Sequence, residues 1–91
     1  MTPEDEQYRS EVTAGAGGAM TDEVGVITGD LTVVTADRGD GRADVRVQYT
    51  DADEWYTLTG SPAPLLPAGA KALHEKVLAA IKAGGGATVP R

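Results

Sequence analysis

Between Glu23 and Gly60 apolar and polar residues alternate with a period of two, interrupted at three places by turn-forming residues. EVGVIT and LTVVTA flank Gly29-Asp30, a pair whose leading glycine suits a two-residue type II′ hairpin. DRGDG, Asp37 to Gly41, separates LTVVTA from RADVRVQYT, and DADE, Asp51 to Glu54, separates that run from WYTLTG. The pattern predicts a four-stranded antiparallel meander over about residues 23–60. A competing parse makes Gly29-Asp30 a bulge inside one long strand, which leaves three strands.

Loop length fixes which residues face each other in a hairpin, so the parse can be tested for consistency. With these loops, Val26 opposes Val33, Val33 opposes Val45, Leu31 opposes Val47, Tyr49 opposes Tyr56 and Val47 opposes Leu58. All three turns agree on one apolar face of Val24, Val26, Leu31, Val33, Val45, Val47, Tyr49, Tyr56 and Leu58. The opposite face carries Ile27, Thr32, Val34, Asp44, Arg46, Gln48, Thr50, Trp55, Thr57 and Thr59.

SPAPLLP, Ser61 to Pro67, is a stiff connector whose three prolines keep it out of sheet and helix interiors. From about 68 to 83 the period changes to that of a helix: Ala70, Leu73, Val77 and Ile81 form one stripe, with Lys71, Glu75, Lys76 and Lys82 opposite. Gly84 is placed to end it with a left-handed cap. Residues 85–91 read as a flexible tail. At the other end, Thr2-Pro3-Glu4-Asp5 has the form of a helix entry, but AGAGG from Ala14 to Gly18 stops any helix. Residues 1–22 are expected to be a flexible acidic arm with at most one short helix. The whole is then α+β, a two-layer sandwich: a single domain over 23–84 in which the C-terminal helix covers the apolar face.

Ninety-one residues make one small domain, and the absence of Phe makes its core thin and aliphatic. No cysteine is present, which removes disulfides, thiolate metal sites and a cysteine nucleophile together. The formal net charge of −6 argues against nucleic acid, whose affinity comes from basic residues displacing counterions. No apolar run approaches membrane-spanning length, and the acidic start is unlike a signal peptide, so the expectation is a cytoplasmic protein without membrane contact.

Candidate chemistry is sparse. As a calcium loop, DADE supplies Asp51 and Asp53 at the first and third positions, but Trp55, Tyr56 and Pro62 fall where an oxygen ligand, a glycine and a glutamate are required. Acid/base work by Asp51 and Glu54 would need burial, and the register puts both at a hairpin tip. His74 is the sole histidine and sits at the edge of the helix's apolar stripe. Ser10 and Ser61 are the only serines, and neither lies in a nucleophile elbow. Arg38-Gly39-Asp40 reads as a turn. The glycines at 15, 17 and 18 and at 84–86 read as flexible arm and helix cap.

What remains is the second sheet face, because a tryptophan set on a polar surface is a common binding anchor. The leading expectation is a non-catalytic interaction module, without cofactor or metal, that meets a second copy of itself or another protein through Trp55, Arg46, Gln48, Val34 and Thr57. The alternative is a small-molecule-binding protein with a pocket between helix and sheet near Tyr49, Tyr56 and His74. An enzyme using Asp51, Asp53 or His74 is the third class, and no substrate suggests itself.

Overall fold

The computed structural model describes residues 7–65 and 67–90. In chain order the elements are β1 (Gln7–Thr13), β2 (Ala19–Thr21), β3 (Gly25–Ile27), β4 (Asp30–Asp37), β5 (Arg42–Tyr49), β6 (Tyr56–Thr57), β7 (Ala63–Pro64) and α1 (Gly69–Ala83). The main antiparallel sheet has the order β1-β4-β5-β6, with β7 beside the start of β5, and β2-β3 is a small separate hairpin. With α1 packed on β1 and β4, the fold is α+β in two layers.

The helix follows its sequence signal closely. Ala70, Leu73, Val77 and Ile81 are buried, and Gly84, at φ +83°, caps the last turn by donating its N–H to Ala80 O at 3.0 Å. Removing side chains such as Val77 and Ile81 from water favours folding by about 1.5–3 kcal/mol each. Most of the predicted inner face is also buried: Leu31, Val33, Val45, Val47 and Leu58 are fully enclosed.

The first predicted hairpin does not form. EVGVIT turns back on β2 instead of pairing with β4, with Ala19 opposite Ile27 and Thr21 opposite Gly25. Thr21 organises that turn, its hydroxyl donating to Gly25 O and accepting from Val24 N. Ile27 is therefore the buried member, while Val24 and Val26 lie exposed, the reverse of the expected facing. Gly29-Asp30 is neither hairpin turn nor bulge but the passage from the small hairpin into β4.

β1 takes the place beside β4. Seven residues that read in the sequence as part of an arm alternate exposed and half-buried and pair along β4, from Gln7 opposite Ala36 to Thr13 opposite Asp30. A seven-pair ladder outcompetes what a three-residue run could offer. Residues 1–6, which hold the expected helix entry, lie outside the described residues.

Two registers differ from expectation by a step of two. Val33 faces Val47 and Leu31 faces Tyr49, while Val47 faces Tyr56. The cause lies in the loops. Asp37 and Asp40 accept hydrogen bonds from Gly39 N and Arg42 N, which moves the five-residue turn one position along the chain. In the next loop Gln48 Nε2 donates to Ala52 O, and Asp51 takes a left-handed conformation at φ +71°, so the reversal consumes more chain. Because side chains alternate with period two, both slips preserve the faces.

The connector and tail are more structured than their composition suggests. Ala63 and Pro64 pair with Ala43 and Arg42, Pro64 sitting on an edge where its missing N–H is tolerated; the Ser61–Pro62 peptide is cis. Ala87 bridges Ala19, Val89 N donates to Thr59 O at 2.9 Å, and both side chains are buried. The predicted flexible tail thus contributes Ala87 and Val89 to the core, and Arg91 lies outside the described residues.

The two glycine runs explain this order. Gly15 N donates to Ile81 O, Gly85 N to Ala16 O, Gly86 N to Gly17 O and Ala87 N to Gly18 O, all at 2.7–3.0 Å. A Cβ on Gly15 would run into the backbone at Lys82 and Ala83, and one on Gly84 into Gly15 and Ala16. Glycine is required at both positions because backbone meets backbone there without intervening side chains.

Candidate functional site

The ladders place Arg9, Val34, Arg46 and Thr57 in one transverse row across the outer face. A second row, Gln7, Ala36 and Asp44, lies beside it, and a third, Glu11, Thr32 and Gln48, on its other side. Trp55, just before β6, is half-buried, and the guanidinium carbon of Arg9 lies 5.6 Å from its ring centroid. That contact reaches from β1 to the residue leading into β6. Gln7, Arg9, Val34, Ala36, Asp44, Arg46 and Trp55 enclose a shallow basin of about 370 Å³.

Of the residues singled out on the sequence, Trp55, Arg46 and Val34 line this basin. Gln48 does not, since the loop it bonds through Ala52 O buries it. Thr57 is engaged elsewhere, because its N–H and hydroxyl donate to the Glu23 carboxylate, both at 2.7 Å, which holds the Glu23 pKa below its usual value. Sequence reasoning misses Arg9 because its segment reads as an arm, although the alternation Gln7, Tyr8, Arg9, Ser10, Glu11, Val12 carries the signal.

Charge gives the basin its character. Among the described residues the ion pairs join Arg38 to Asp40 at 3.8 Å and to Asp44 at 3.9 Å. Arg9 and Arg46 have no carboxylate of the described residues within ion-pair distance, although the chain carries 14 acidic residues against eight basic. Arg38 is held by Asp40 of its own tripeptide. A guanidinium stays charged near neutral pH, so the basin presents forked N–H donors of the geometry that suits a carboxylate, beside an indole face that can stack.

The inner side at His74 is a different kind of site. Thr35 Oγ1 lies 2.8 Å from His74 Nδ1, Ser10 Oγ lies 2.9 Å from Nε2, and the Tyr8 ring centroid is 5.9 Å from the imidazole. Both hydroxyls can donate or accept, so either neutral tautomer is satisfied. Burial lowers the His74 pKa below its usual 6.5, against an opposing pull from Glu75. The arrangement stitches α1 to β1 and β4 through both ring nitrogens.

Tyr49 and Tyr56 are not gathered around His74. Thr35, which holds the imidazole, is four residues along β4 from Leu31, the partner of Tyr49, a separation of roughly 13 Å at the rise of a strand. Tyr49 is exposed, and the Tyr56 hydroxyl donates to Glu54 Oε1 at 2.9 Å, which raises the tyrosine pKa. Asp51 and Asp53 are exposed in the loop. No helix among the described residues is long and apolar enough to cross a membrane. Comparison with protein-family models, with curated proteins and with solved structures gives no match, so residue chemistry alone carries the functional reading.

Proposed function

We propose that the protein is a non-catalytic interaction module whose outer sheet face holds an acidic segment of a partner protein. The observation that carries this reading is the pair Arg9 and Arg46, without carboxylate partners among the described residues of an acidic chain, set around a tryptophan fixed across the middle of the sheet. A carboxylate entering the basin gains charge-assisted bonds from the arginines, and an adjoining apolar or aromatic side chain gains the indole and Val34. The basin lies near the small end of ligand pockets, which run from roughly 300 to 1,000 Å³, and suits one or two side chains of a segment laid over the sheet.

Titration of isotope-labelled protein with a short peptide of alternating Glu and aromatic residues tests this. At low salt the expected result is a set of chemical-shift changes centred on the Trp55 indole, Arg9, Val34 and Arg46. Trp55→Ser should weaken binding by about 30-fold, the equivalent of roughly 2 kcal/mol for an anchor residue. Shifts centred on the helix, or binding indifferent to Trp55→Ser, would defeat the proposal.

A further inference from the structure

We infer that β1 pairs with β1 of a second copy across a twofold axis through Ser10, joining two sheets into one. β1 ends the main sheet, and its strand partner among the described residues is β4 alone. The direction of its free backbone groups follows from one bond. Ala14 N donates to Gly29 O, the next rung beyond Thr13 opposite Asp30, so Val12, Ser10 and Tyr8 turn their backbone groups toward β4. Gln7, Arg9, Glu11 and Thr13 turn theirs to the open edge. Only registers that set these odd-numbered residues against one another let those groups bond.

Charge then selects among such registers. With Ser10 on the axis, Arg9 faces Glu11 of the second copy twice, Gln7 faces Thr13, and on the inner side Tyr8 faces Val12. A shift of two residues one way sets Arg9 against Arg9; the same shift the other way sets Glu11 against Glu11. Opposite charges across a strand pair favour association and like charges oppose it, so the strand is self-complementary in one register.

The helices permit this approach. His74 reaches both Ser10 and Thr35, which places α1 above the gap between β1 and β4. With strands about 4.8 Å apart, the two helices would then run about 10 Å apart, at the upper end of ordinary helix packing. The edge strand, otherwise a template for uncontrolled pairing, is closed by symmetry. Two basins come to lie side by side on one outer face, with Glu11 engaging one edge of the neighbouring Arg9 guanidinium and leaving its other N–H donors and Arg46 to the basin.

Light scattering coupled to size exclusion tests the pairing. The wild type should show twice the chain mass at high concentration, Arg9→Glu and Glu11→Arg should each be monomeric, and the double reversal should restore the dimer, with circular dichroism confirming the fold in every case. Glu11 lies outside the basin, so Glu11→Arg should lose the dimer and keep peptide binding, which separates this inference from the proposed function. A monomeric wild type, a dimer that survives either single reversal, or a double variant that stays monomeric overturns it.

Discussion

The two faces of the main sheet handle polar groups in opposite ways. On the inner face, Ser10 and Thr35 each bond one ring nitrogen of His74 on the helix, and among the described residues no buried side-chain nitrogen or oxygen lacks a hydrogen-bond partner. On the outer face, Arg9 and Arg46 line one basin with Trp55 and have no carboxylate of the described residues within ion-pair distance. A closed polar network fixes one geometry and has no capacity left for a ligand. An arginine pair with unused donors keeps that capacity. Stability should therefore depend on the inner group and binding on the outer one, and variants can separate the two.

The largest effect is expected from His74→Ala. It opens space between helix and sheet and leaves the fully buried Thr35 hydroxyl unpaired, so urea unfolding should show a loss of about 3 kcal/mol, with peptide binding retained. An intermediate effect follows from the lowered pKa. Unfolded His74 takes up its proton near pH 6.5, while the buried ring resists it, so this contribution is complete above pH 6.5. It is lost as pH falls through the lower folded value, and His74→Gln should flatten the slope of stability in that window. The smallest effect belongs to the outer face: Trp55→Ser should cost less than about 1 kcal/mol of stability, the scale of an exposed cation–π contact, while weakening peptide binding by the same factor of about 30. A large thermal destabilisation by Trp55→Ser would erase the distinction between the faces.

Periodicity makes the helix and most of the inner face legible, because each needs only local spacing to be read. Registers off by two come from hydrogen bonds inside loops, at Asp37, Asp40 and Gln48, which composition does not announce. β1 is hidden for a different reason. Ser10 looks like a surface residue in its own segment, and it belongs inside only because His74, 64 positions away, accepts or donates its bond. Arg9 follows β1 into obscurity, which leaves Trp55 without its partner. That Trp55, Arg46 and Val34 share a face is legible because alternation alone assigns it; that Gln48 and Thr57 are engaged away from the basin is not, because their partners, Ala52 and Glu23, come from loops.

The interlocked glycine runs bear on the order of events in folding. Gly15 to Gly18 and Ile81 to Ala87 bond across nearly the whole described chain, and closing a loop of that length costs about 4 kcal/mol of chain entropy. No side chain is present on these glycines to draw the two runs together, so the clasp is expected to close after β4, β5 and α1 have brought its halves into place, and late protection of the Gly85 and Gly86 amides in pulsed hydrogen exchange would check this. On that order the glycines are a fastening for a shape that the hydrophobic pattern makes.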